Sequence, residues 1–215
     1  YGALRGGASI TSLVLYSAAH LHNQYRDNAA WKAGLAFLLK GNSEHNCIAC
    51  PDGTLDYPTY STAMTLVATR RLGLSIAASR RAKLVSYLVD AQLTERSGFS
   101  VDRVDHGGWD LIGASGAEGI TSGTNVSVSF HAVEAIAKEA HTNKMKTLRL
   151  ARDWCLRCQN WAKETDGMSK ESVDGGFFFH PERQSLGNKA QWSDERYQLP
   201  RSYGTATCDG VRLLM

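Results

Sequence analysis

No apolar run in this 215-residue chain approaches the ~18–20 residues that a membrane-crossing helix needs. Charge of one sign is also scarce. The formal net charge is only +3, and no Lys/Arg run is interleaved with aromatics, so the footprint of a nucleic-acid binder is missing. The densest basic pairs, Arg70-Arg71 and Arg80-Arg81, flank a helix–helix junction, where cations suit helix C-termini. No alternating pattern of strand length is present, and the run Gly176-Phe177-Phe178-Phe179 is too short to count as one. The glycine-rich stretch 113–123 lacks the strand-loop-helix setting and the lysine of a phosphate loop, which argues against a nucleotide site. Five cysteines, an odd number, argue against a full disulfide framework, and neither Cys-x-x-Cys pair is followed by the His of c-type haem attachment. No signal peptide is visible, and since the first residue is Tyr1 rather than Met the compartment stays open.

What is present is ordinary globular composition, 43% hydrophobic and 21% charged, on a chain long enough for one large domain with a sizeable core. A turn recurs three times, each time before a helix: Asp52-Gly53-Thr54-Leu55, Asp105-His106-Gly107-Gly108-Trp109 and Asp174-Gly175-Gly176-Phe177. A period of roughly 50–70 residues predicts an array of helical hairpins. Glycine lets the loop backbone come close to a neighbouring helix, the aromatic behind it pins the loop, and the Asp accepts nearby backbone N–H groups.

Helical spacing predicts the elements in turn. Ile10, Leu13, Val14, Ala18 and Leu21 form the stripe of the first helix. Asp27 or Asn28 caps a second helix carrying Trp31, Leu35 and Leu38, which Gly41 ends. Pro58 opens a third helix with Tyr60, Ala63, Met64, Val67 and Leu72, and Gly73 stops it. Ser79 caps the fourth, which carries Leu84, Val85, Leu88 and Ala91. Phe130, Val133, Ile136 and Ala137 mark the fifth, and Leu148, Ala151, Trp154, Cys155, Cys158 and Trp161 the sixth. A seventh opens at Ser202 and runs into Val211-Arg212-Leu213-Leu214-Met215, an apolar helical pattern that stops as a truncated repeat would. The expectation is all-α, a single repeat domain over 1–215, part of a longer parent chain or prone to self-association through apolar flanks.

Candidate chemistry is dispersed. Cys47/Cys50 and Cys155/Cys158 together supply four thiolates that can hold zinc tetrahedrally, but Cys155 and Cys158 share the buried stripe of a helix, which favours core thiols there. Asn125-Val126-Ser127 fits the glycosylation acceptor pattern. Histidines stand at His20, His22, His106, His131 and His180, and the aromatics Tyr57, Tyr60, Trp109, Phe177, Phe178, Phe179 and Tyr203 fall in turns or at helix starts.

The pattern of a helix ending near Gln92 or Gln159, a variable loop, Asp-(x)-Gly-Gly-aromatic and a new helix resembles the repeat of squalene/hopene cyclases and protein prenyltransferases. That resemblance implies an α/α toroid, here an incomplete ring of about three and a half repeats, with inner helices at 8–25, 59–72, 125–140 and 202–215 and outer ones at 28–40, 80–93 and 144–161. It implies a cavity rimmed by aromatics, with His131, Asp209 and Tyr203 as catalytic candidates and His20, Tyr60, Trp109 and Phe179 as substrate contacts. The Asp-x-Asp-Asp acid of the cyclases is absent, and the Asp/Cys/His zinc trio of the prenyltransferases has no matching positions. The leading expectation is a protein that binds or transforms an isoprenoid or other small apolar lipid, without cofactor. A non-catalytic peptide-binding scaffold and a carbohydrate-active toroid enzyme are the alternatives.

Overall fold

The structure, a computed structural model, describes residues 7–21, 28–41, 46–112, 123–161, 173–181 and 202–215. Among these residues it is all-helical: α1 Gly7–Ala18, α2 Ala29–Lys40, α3 Pro58–Leu72, α4 Ala78–Asp90, α5 Val126–Ala137, α6 Lys144–Arg157 and α7 Gly204–Leu214. No strand occurs among them; Gln159 and Phe177 make one isolated bridge. No helix is long and apolar enough to cross a membrane.

The helices fall into two layers, labelled inner (α1, α3, α5 and α7) and outer (α2, α4 and α6). α1, α3, α5 and α7 pack one on the next in that order, while α2 lies on α1, α4 on α3 and α5, and α6 on α5 and α7. The four helices of the first layer point the same way. Near their starts, Ser9 N–H of α1 donates to Asp56, just ahead of α3 (2.9 Å); near their ends, Arg71 of α3 pairs with Glu134 of α5 (2.7 Å), and Glu134 with Arg212 of α7 (3.9 Å).

What sets this arrangement is one repeated corner. After α4, Gln92 Nε2 donates to Gly107 O (2.9 Å), while Leu93 exchanges backbone bonds with Gly107 and Gly108 (2.7 and 3.0 Å). After α6, Gln159 Nε2 donates to Gly175 O (3.1 Å), and Asn160 pairs in the same manner with Gly175 and Gly176 (3.1 and 2.7 Å). The residue behind each pair then donates its backbone N–H to a hydroxyl in the first turn of the next inner helix: Trp109 to Ser129 Oγ (3.1 Å) and Phe177 to Thr207 Oγ1 (3.0 Å). The same bond occurs once more, from Ile48 N–H to Thr62 Oγ1 (2.9 Å).

That third instance corrects the expected repeat. The first corner is Asn46-Cys47-Ile48, and Asp52-Gly53 is a separate exposed turn. Asn46 stands at φ 59°, where Gly107 has 96° and Gly175 71°. Asn tolerates the left-handed region, so the corner forms without the glycine that would announce it. Gly53 has nothing within 4 Å of an added Cβ, and Leu55 is exposed.

Other expectations shift as well. Asn28 caps α2 through Ala30 N–H (2.8 Å), but α4 is preceded by Ala77 with no side-chain cap, so Ser79 does not cap it. Asn125 caps α5 by accepting from Val128 N–H (2.9 Å) and is itself buried, so its amide is not placed as a glycan acceptor. Trp161, expected in a stripe, is exposed. Most informative is α1. It buries Ala8, Thr11, Ser12, Leu15 and Tyr16, while Ile10, Leu13, Val14 and Leu21 of the expected stripe are exposed.

The two kinds of glycine separate by experiment. Gly107 combines φ +96° with an added Cβ only 2.5 Å from Leu150 O, so Gly107→Ala is expected to cost more than about 3 kcal/mol, through overpacking and backbone strain together. Gly53→Ala, strained in φ but sterically free, is expected to cost about 1 kcal/mol. Urea unfolding of both variants checks the order.

Candidate functional site

The corner hydroxyls give a common ruler for the inner helices. Thr62, Ser129 and Thr207 are equivalent; α1 shows no such corner bond among the described residues, and its level is taken from Tyr16, which meets Glu134 and Arg212, five residues beyond Ser129 and Thr207, and so sets Thr11 beside them. Two residues beyond them stand Leu13, Met64, His131 and Asp209; five beyond stand Tyr16, Val67, Glu134 and Arg212. Residues spaced in this way share one side of each helix. The contacts agree: Tyr16 OH donates to Glu134 Oε2 (2.7 Å), and Arg212 Nη2 lies 3.3 Å from the same phenol oxygen.

His131 sits at the centre of this side, ringed by Tyr16 (edge-on, centroids 4.8 Å apart), Phe130 (4.8 Å) and Tyr60 (5.5 Å). It is buried, and its Nδ1 has no hydrogen-bond partner among the described residues. Burial lowers its pKa to about 4, with the Arg212 guanidinium adding to the effect and Glu134 opposing it. The imidazole is therefore neutral at physiological pH.

Closer to the helix starts, Tyr60 and Tyr203 both lie close enough to Asp209 to feel its charge. Burial raises the Asp209 pKa above the ordinary carboxylate value, against the Ser127 bond and the Arg212 charge. Tyr60 and Tyr203 are each pushed up to about 12, chiefly by burial and also by the Asp209 charge. Phe179 stacks loosely with Tyr203 (6.5 Å). A carboxyl of raised pKa on α7 and an imidazole of lowered pKa on α5 thus stand at equivalent positions of neighbouring helices.

Towards the helix ends the face becomes ionic. Glu134 takes Arg71, Arg212 and Tyr16, with the Arg212 guanidinium 4.1 Å over the Phe130 ring. Beside it Glu139 takes Arg81 (2.5 Å) and Arg70 (3.6 Å). Burial first, then the bond to Glu134, raises Tyr16 to about 12. No family model, curated protein or solved structure matches this chain.

Of the residues expected to carry function, His131, Asp209, Tyr203, Tyr60 and Phe179 come together around this face. His20 stands exposed at its edge, its Nδ1 2.8 Å from Tyr16 O and its ring against Tyr16 (4.7 Å). Trp109 does not belong there. It is fully buried, its indole N–H donates to Leu88 O (2.7 Å), and it anchors the second corner. His22 lies outside the described residues. His180 and Asp105 are both buried and tie the third corner to the second, with His180 Nε2 3.0 Å from Asp105 and Thr124 Oγ1 donating to the same carboxylate. The four paired cysteines do not form one zinc site: among the described residues no three His, Cys, Asp or Glu are grouped to hold a metal. Cys155 and Cys158 are core thiols, and burial pushes Cys155 up to about 12, away from the thiolate a metal needs. Tyr16, Glu134 and Arg212 were missed, and spacing from the Thr/Ser early in each inner helix is the signal that finds them.

The His131 ring makes stability depend on pH. Its folded pKa of about 4 lies below the unbound value of 6.5, so it contributes stability above pH 6.5 that is lost as pH falls towards 4. Relative to His131→Phe, the native chain is expected to lose about 2–3 kcal/mol between pH 7 and 4.5. Urea midpoints at both pH values test this; a flat difference would mean the ring is not held neutral.

Proposed function

We propose that the four inner helices form an arc of an α/α toroid of terpenoid-cyclase or prenyltransferase type, and that their shared face binds an unsaturated isoprenoid-like lipid, with Asp209 as acid and His131 as base. The observation that carries this is the pairing of Asp209 and His131 at equivalent positions of successive inner helices, their pKa values pushed apart, among the rings of Tyr60, Tyr203 and Phe179. Protonation of an alkene carbon by Asp209 generates a cation that the aromatic faces stabilise. Loss of a proton from a neighbouring carbon to His131 restores an alkene. The net change is an isomerisation that needs no redox partner. Leu13 and Met64, at the same level on α1 and α3, add apolar surface opposite the acid and base.

A carbohydrate enzyme draws less support. It needs a second free carboxylate, and Glu134 is already engaged by Arg71, Arg212 and Tyr16. A plain scaffold gives no reason for a half-buried acid of raised pKa beside an unpartnered imidazole nitrogen.

Equilibrium binding of radiolabelled geranylgeraniol and squalene, presented in detergent micelles, tests the proposal. Saturable one-to-one binding is expected, weakened about tenfold in Tyr60→Ala. In D2O the recovered lipid is expected to carry deuterium, and Asp209→Asn to abolish that exchange while binding persists. Absence of saturable binding of either lipid by protein whose helical circular dichroism is intact would overturn it.

A further inference from the structure

We propose that Tyr16 is a positioning residue for His131, its phenol anchored to Glu134 and Arg212 so that its ring holds the imidazole at one tilt on the shared face. This rests on the assignment of His131 as base. A histidine that moves protons is ordinarily aimed by a hydrogen bond at its second ring nitrogen. His131 has no such guide at Nδ1, which is buried and without a partner among the described residues. Packing therefore does the aiming. The rings around the imidazole are Tyr16 and Phe130, each 4.8 Å away between centroids, and Tyr60 at 5.5 Å.

These rings are not equal as guides. Phe130 precedes His131 on α5, moves with the same helix and has no polar atom to fix it. Tyr60 is the more distant. Tyr16 comes from another helix, α1, and is tied at its far end. Its hydroxyl donates to Glu134 Oε2 (2.7 Å) and accepts from Arg212 Nη2 (3.3 Å), while Arg71 holds the other Glu134 oxygen (2.7 Å). The phenol meets the imidazole edge-on, with 86° between the ring planes, an arrangement that aromatic pairs prefer. An ionic network near the helix ends thus reaches the base through one ring, with no hydrogen bond to the imidazole itself. Loss of the Tyr16 hydroxyl frees the far end of that ring while leaving its apolar area in place. The imidazole then gains a second tilt.

The test is 1H–13C NMR of the histidine Cε1–H groups in the unliganded protein at pH 7, with the His131 signal assigned by its loss in His131→Phe. One sharp His131 signal is expected in the native chain. Tyr16→Phe is expected to split it or broaden it about twofold, as exchange between two ring positions does. Glu134→Ala is expected to do the same. Glu134→Gln, whose amide oxygen still accepts from the phenol, is expected to keep one sharp signal. Ser9→Ala removes a hydroxyl bond from α1 to Asp56 (2.8 Å) without touching the phenol, and is expected to lower the urea midpoint while the signal stays single. An unchanged His131 signal in Tyr16→Phe, or the same change in Ser9→Ala or Glu134→Gln, overturns the assignment. Because no lipid is present, such a result counts against this role and not against the proposed activity, whereas failed lipid binding counts against the activity alone.

Discussion

Everything in the inner layer hangs on a buried backbone N–H that no helix supplies with a partner. At each corner the chain leaves an outer helix, turns through a left-handed residue and presents one amide to the start of the next inner helix. Leaving such a donor unpaired inside a protein costs about 1–3 kcal/mol, so the corner forms only with a hydroxyl at the right place on the helix it meets. Thr62, Ser129 and Thr207 fill that place for Ile48, Trp109 and Phe177. The bond fixes both the height of α3, α5 and α7 and the rotation of each about its own axis.

Fixed height and rotation are what turn a stack of helices into a site. His131 and Asp209 come from different hairpins and are far apart in sequence, yet they stand at equivalent levels because their helices are indexed by the same bond. Glu134 and Arg212 meet one turn further along for the same reason, and Tyr16 joins them from α1. The chemistry-bearing residues sit at repeat-equivalent positions but are not repeated residues. Shared geometry with divergent side chains places a carboxyl of raised pKa and an imidazole of lowered pKa at equivalent levels. The ionic network at the helix ends supports the cluster from above. It joins α1, α3, α5 and α7 through one carboxylate, and its cations lie where helix dipoles favour them.

Much of the fold was legible. All seven helix starts fall within two residues of their expected positions, because caps, prolines and apolar spacing are local signals. The layer order followed from the repeat. The first corner was read in the wrong place because Asn46 performs a glycine's task and Ile48 an aromatic's, so composition gave no sign of it. Trp109 was offered to the ligand because a turn aromatic looks the same in sequence whether it faces a cavity or plugs a core. The α1 stripe failed for a related reason. Apolarity identifies a face that avoids water, whereas the face that packs between helices is chosen for its small size, as Ser61, Thr65 and Ala68 on α3 illustrate. Of the candidate face, the residues with conspicuous chemistry were legible. Those marked only by their neighbours, Glu134 and Arg212, were not.

The bulk of α1 on its outer side gives the layer a direction. The positions that hold Ser61, Thr65 and Ala68 on α3, and Val128, Ala132 and Ala135 on α5, hold Ile10, Val14 and Ser17 on α1. On α3 those three side chains are fully buried, whereas Ile10 and Val14 on α1 are exposed. A helix of the same kind laid along Ile10 and Val14 would be propped away, its axis standing off beyond the spacing used elsewhere. Lengthening the stack on that side therefore calls for a different sort of neighbour, one that offers hollows where the others offer smooth ground.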